Sequence, residues 1–206
     1  MRRPSIWRGP CLAAAFVVMF LSADVLRAGA LIYPAPGNLR LDEGTIEVWF
    51  TPMASELYPP ADGEKYLNIF SLFRIDGSPD FNCACAWYRH GNQIGLKVSL
   101  SDREMKDGLV AVLTNTPKTW RPGEAHQVAF TWKGTETAVY ADGKLIGSRR
   151  QMGRLRGAVG PLKLVIGQEN NAQIIVNAVR VSSSARAAAE LAQPPRADLN
   201  TLLLDR

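Results

Sequence analysis

His90 and His126 are the only histidines of this 206-residue chain, and neither has a second metal ligand or a nucleophile at the spacing that metal or covalent catalysis needs. Cys83 and Cys85 stand as "CAC". On a strand their side chains point the same way with Cα atoms about 6.6 Å apart, close to the long limit for a disulfide. The pair lacks the further ligands zinc requires, and Arg89 is the nearest basic residue that could activate a thiol. Two small buried thiols are therefore expected ahead of a strained bridge. Glycoside cleavage needs two carboxylates about 5–10 Å apart across the scissile bond. Glu47 shares a strand face with Trp49, but Asp42 and Glu43 precede it without the alternation a catalytic strand would show. The residues argue against an enzyme.

Binding chemistry is better represented. A sugar site stacks an aromatic ring on the apolar face of the sugar and adds a few polar groups for its hydroxyls. "AWYRHGNQ" gathers Trp87, Tyr88, Arg89, His90 and Asn92 at a strand end and turn, the expected platform. A solvated turn with Trp87 in the core is the competing reading. "SRRQMGRLRG" supplies Arg149, Arg150, Arg154 and Arg156, whose forked donors suit sulfate, carboxylate or phosphate, although charge runs are usually plain soluble surface. Trp49 and Trp132 lie in well-patterned strands and are expected in the core, and His126 is expected at the rim or in packing.

The elements that must position these groups are strands. In "GTIEVWFTP" Ile46, Val48 and Phe50 share one face while Thr45, Glu47, Trp49 and Thr51 share the other, until Pro52 stops the run. "YLNIFSLFRI", "CACAWYRHG", "QIGLKVSL", "GLVAVLT", "HQVAFTW", "TAVYA", "KLIGS", "LKLVIGQ" and "IIVNAVRVS" continue the series, punctuated by Gly, Pro, Asn and Asp. Asp142-Gly143 is the strongest hairpin signal, because a two-residue turn that matches strand twist needs positive φ at both positions. Only "SSSARAAAEL" reads as a short helix, with Ser184 as its cap, and "QPPRADLNTLLLDR" reads as a proline-broken link into a final strand. Ten or so short antiparallel strands must cover their edges, which a two-sheet sandwich or jelly roll does.

Residues 1–30 have the layout of a secretory signal: Arg2, Arg3 and Arg8, then apolar "CLAAAFVVMFL", then Ala28 and Ala30 at the small-residue positions before cleavage. The apolar core is too short for a bilayer, which needs about 20 residues, so an uncleaved anchor is the lesser alternative. The formal charge of +5 falls close to neutral once Arg2, Arg3, Arg8, Arg27 and Asp24 are removed, so it makes no case for nucleic acid. Export to a periplasm or beyond the cell is expected, and the short Arg- and Ala-rich signal has a bacterial look.

In order along the chain, "GTIEVWFTP", Trp120 with "PGE" ahead of "HQVAFTWKG", "VYADGKLIGS", "LVIGQ" and "NAVRVSSSARAAAEL" resemble the laminin G-like jelly roll of the concanavalin A-like lectin and glucanase superfamily. The resemblance covers residues 31–192 and leaves 193–206 as a linker and last strand. It implies an all-β, two-sheet antiparallel sandwich with one short C-terminal helix. Ala125 stands where the family usually has an aromatic residue, and Asn177 with Ala178 where it has an acidic pair. The glucanase string Glu-x-Asp-x-x-Glu does not occur. "GQENN" is similar to the segment by which pentraxins hold calcium, with Glu169, Asn170 and Asn171 in the matching places, so calcium is the one cofactor implied, against a plain polar loop. The resemblance thus implies an isolated, exported, non-catalytic module that binds a glycan, an anionic one if the arginine run takes part. A structural or protein-binding module is the alternative, and a polysaccharide-active hydrolase or lyase stands behind both.

Overall fold

Alternation gives each strand one apolar face, and such faces reach a low-energy state only by packing against one another. The computed structural model describes residues 30–53, 64–74, 81–90, 93–100, 109–113, 120–149, 160–167 and 174–206, and these form two antiparallel sheets of six strands each. One sheet runs in the order β1 (Leu31–Pro34), β10 (Leu162–Ile166), β3 (Glu64–Arg74), β4 (Phe81–His90), β5 (Gln93–Leu100), β6 (Leu109–Leu113). The other runs β12 (Thr201–Asp205), β11 (Ile174–Ser182), β2 (Glu43–Pro52), β7 (His126–Lys133), β8 (Glu136–Ala141), β9 (Lys144–Arg149). One short helix, α1 (Ala188–Leu191), is present among the described residues. The expected sandwich is the observed one. β1 is the element the sequence reading omitted, because four residues bounded by Pro34 give too short an alternation to register.

The core lies between the inner faces. Ile46, Val48 and Phe50 of β2, Val128, Phe130 and Trp132 of β7, and Val179 and Val181 of β11 pack toward Leu67, Phe70 and Leu72 of β3, Cys85 and Trp87 of β4, and Leu164 of β10. Phe70 meets Phe130 across the gap with ring centroids 6.4 Å apart. Register shifts between Asn68 and Phe70, so Ile69 is an extra residue in β3. This bulge lets Leu67 and Phe70, three apart, both face inward, which strict alternation would forbid. At the open edge the Tyr33 hydroxyl of β1 donates to Asp205 of β12 at 2.6 Å, fastening one sheet to the other. Burial and this carboxylate push the Tyr33 hydroxyl above its ordinary pKa.

Cys83 and Cys85 are free and wholly buried on the inner face of β4. Burial raises both thiols, and Cys85 adds to the rise at Cys83. Since the thiolate is the nucleophile, native protein at mildly alkaline pH should leave both cysteines unalkylated by iodoacetamide, and both should react in denaturant. Peptide mapping checks this; fast labelling of either in the native state would show an open route to the core.

The helix departs from expectation at its start. Ser184 does not cap it: the Ser184 carbonyl accepts from Thr45 Oγ1, Arg186 N–H donates to that hydroxyl, and Ala185 N–H donates to Glu43. Residues 184–186 are thereby held on β2 in a non-helical path. The single turn begins after Ala187, whose N–H donates to Glu190 Oε2 at 2.9 Å.

Candidate binding site

Along β2 and β7 the outward residues are Thr45, Glu47, Trp49 and Thr51, and Gln127, Ala129 and Thr131. The segment from Ser184 to Arg196 crosses this face, so most of it is buried: Thr45, Glu47 and Ala129 are all fully enclosed. At the end where the segment leaves the sheet it stands off and forms a cleft of about 400 Å³. Trp49, half-buried, and Asn177 lie on the sheet side, Ala125 to Gln127 and the Asp142-Gly143 turn form one wall, and Leu191 to Pro195 form the other.

Each part of the cleft is fixed by local physics. Register shifts between Val176, opposite Phe50, and Ala178, opposite Trp49, so Asn177 is an extra residue in β11. Bulges re-aim a side chain, and here the amide is fixed by Thr51 Oγ1, which donates to Asn177 Oδ1 at 3.0 Å. The Trp49 ring is held by the Arg180 guanidinium, 5.7 Å from its centroid. Gly143, at φ +72°, donates its N–H to Gln127 Oε1, and a Cβ there would lie 2.9 Å from Ala192 Cα, so the turn can approach the far wall only as glycine.

Asp142 organises the end of the sandwich. It is at φ 49° in the turn, and its carboxylate accepts from Gln127 N–H at 2.8 Å and Trp120 Nε1 at 3.0 Å, with His126 Nδ1 at 3.2 Å. His126 stacks on Trp120 at 4.3 Å between ring centroids, and Trp120 meets Phe50 and Trp87 edge-on at 5.6 and 5.5 Å. The hairpin tip is thus bound to the core through one carboxylate.

Glu47 organises the far wall. Its two oxygens take Arg180 Nε at 2.5 Å and Nη2 at 2.7 Å, and Gln127 Nε2 approaches at 3.3 Å while also donating to the Leu191 carbonyl. Arg180 Nη1 donates to the Arg196 carbonyl. Arg186, beside the same carboxylate, reaches Ser182, Glu190 and Asp198. Burial raises the Glu47 carboxyl above its ordinary range, and the guanidiniums of Arg180 and Arg186 oppose the rise. This clasp and the β11–β12 pairing make residues 193–206 part of the sandwich surface.

The structure redistributes the residues singled out from the sequence. Trp87 is a correction: at 1 % exposure, wedged against Trp120, it has no face for a sugar and belongs to the core. Trp49 is the opposite correction, since it is half-buried on the outer face and lines the cleft, while Trp132 is in the core as expected. His126 packs on Trp120 at the rim. Tyr88, Arg89 and His90 continue β4, their backbones opposite Tyr66, Lys65 and Glu64, and Arg149 ends β9. Asn92, Arg150, Arg154 and Arg156, and the implied calcium ligands Glu169, Asn170 and Asn171, lie outside the described residues. Sequence reading missed Asn177, Gln127 and Gln193 as cleft residues. The available signal was an odd residue in β11, where "IIVNAVRVS" places a polar Asn177 out of step with the alternation.

Comparison with known proteins agrees with this architecture. The family model described as concanavalin A-like lectin/glucanases superfamily matches residues 28–192. No curated protein is matched by the chain. Among solved structures, the Trypanosoma rangeli sialidase superposes with a TM-score of 0.52 at 15 % identity, over 80 % of this chain and 25 % of that one. The binding domain of Paraclostridial Mosquitocidal Protein 1 superposes with a TM-score of 0.51 at 13 % identity, over 73 % of this chain and 36 % of that one. The chain therefore spans about a quarter of the first and about a third of the second, and at these identities the likeness is one of fold.

Proposed function

The chain belongs to the concanavalin A-like lectin/glucanases superfamily, and from that premise we propose that it is a non-catalytic module that binds a saccharide in the cleft beside Trp49. The observation that carries this reading is a half-buried indole, held by Arg180, at the base of a cleft lined also by Asn177 and Gln193. An aromatic face covers the apolar side of a pyranose at little entropic cost, and amides pair with its hydroxyls. The same geometry speaks against hydrolysis at Glu47, because that carboxylate is enclosed and held by Arg180 on both oxygens.

Export is part of the proposal and rests on residues 1–30 alone. No helix among the described residues is long and apolar enough to cross a membrane.

A glycan array with the purified chain, run beside Trp49→Ala, tests the binding reading. The variant is expected to weaken its array signals, by about 5- to 150-fold in affinity for a change of about 1–3 kcal/mol in ring stacking, with an unchanged circular dichroism spectrum. Array signals equal in the two proteins would place the ligand elsewhere.

A further inference from the structure

Resting on the saccharide reading, we infer that the Trp49 cleft takes a neutral pyranoside rather than a uronic, sialic or sulfated one. The argument lies in which hydrogen-bonding groups the fold has already used. Among the described residues the cleft lining carries no lysine or arginine, and its one basic ring, His126, sits with Nδ1 against Asp142. Of the guanidiniums beside the cleft, Arg180, which lies over the Trp49 ring, gives Nε and Nη2 to Glu47 and Nη1 to the Arg196 carbonyl, and Arg206 gives Nη2 to the Pro195 carbonyl. The Asp142 carboxylate is engaged in turn by Trp120, Gln127 and His126. An anionic sugar would leave water here without finding a cation among the described lining residues, and burying an unpaired carboxylate is far more costly than burying a hydroxyl.

The groups still available are neutral. Thr51 takes up Asn177 Oδ1 as an acceptor, which leaves the NH₂ end of that amide to donate. The Gln193 side chain has no hydrogen-bond partner among the described residues, and both amides are solvent-exposed at the cleft. A ring face on Trp49 with one hydroxyl accepting from Asn177 and another shared with Gln193 satisfies this set. A hydroxyl serves as donor and acceptor at once, so it suits amides that offer both. Asn177 is then the specificity-determining residue: Asn177→Asp replaces the donor by a like-charged repeller of acidic sugars and a poorer partner for neutral ones.

Affinity electrophoresis in gels cast with neutral polysaccharides (galactomannan, xylan, β-glucan) or acidic ones (alginate, polygalacturonate, heparin) tests the inference. The expected result is retardation in at least one neutral gel that is lost in Trp49→Ala, reduced by up to about tenfold in Asn177→Asp as for loss of one hydrogen bond, and unaffected by raised salt. Retardation in acidic gels that depends on Trp49 and weakens with salt would overturn the neutral assignment and leave the saccharide site standing. Absence of any Trp49-dependent retardation would overturn both.

Discussion

Glu47→Ala is expected to destabilise the protein by about 3–5 kcal/mol, the usual cost of removing one partner from a buried ion pair. Arg180 and Arg186 have side chains 4 % and 3 % exposed, so neither can reach water when the carboxylate is gone. Gln127 Nε2 loses a partner as well, and with it part of the tie between the sheet and the Leu191 carbonyl. Since domains are stable by only about 5–15 kcal/mol, urea unfolding should show a large fall in the midpoint. The double substitution Glu47→Leu with Arg180→Met removes both charges together and is expected to lose far less, because paired apolar replacements avoid the unpaired charge. A midpoint for Glu47→Ala no lower than that of an exposed-site variant would mean that the clasp does not hold the C-terminal segment.

Asp142→Ala is expected to have a comparable effect, at about 4 kcal/mol or more. Three donors converge on this carboxylate, two of them the Gln127 N–H and the Trp120 indole N–H in buried residues, and charge-assisted bonds of this kind contribute about 1.5–3 kcal/mol each. Alanine at φ 49° adds backbone strain of about 1 kcal/mol or more. Asp142→Asn keeps an acceptor and tolerates the left-handed conformation, so it should retain most of the stability, falling by about 1 kcal/mol. Urea unfolding compares the two. Tryptophan emission, to which Trp120 contributes, reports the local effect, and it should shift in the alanine variant under conditions where the asparagine variant still matches the parent protein. Equal destabilisation by both would mean that negative charge, not acceptor geometry, holds the hairpin tip.

Glu47 and Asp142 act on opposite walls of one cleft, which couples the proposed binding to the fold. Glu47 fixes the wall from Leu191 to Pro195 through Arg180 and Gln127, whereas Asp142 fixes the wall from Ala125 to Gln127. Gln127 belongs to both, since Gly143 donates to its oxygen while its nitrogen faces Glu47 and the helix. A cleft built between two rigid elements keeps its width without a ligand, which lowers the ordering cost of binding.

Much of this fold was legible in the residues. Period-two alternation located nearly every strand, and Asp142-Gly143 fixed the β8–β9 turn, with Ala141 opposite Lys144 and positive φ at both turn residues. Local patterns determine these features because strand face and turn type depend on neighbours a few residues apart. The tertiary structure decided the site. Alternation says that Trp49 shares a face with Glu47, but not that residues from Ser184 to Pro195 cover part of that face and leave the ring at its edge. It says that Cys83, Cys85 and Trp87 share a face, but in a run as apolar as "CACAWYRHG" both faces look alike, and only packing against Trp120 assigned Trp87 to the core. The Asn177 bulge, the Glu47–Arg180 pair and the Asp142 network join residues far apart in sequence. Contacts of that kind are set by which strands become neighbours when the two sheets close, and no local period encodes the pairing.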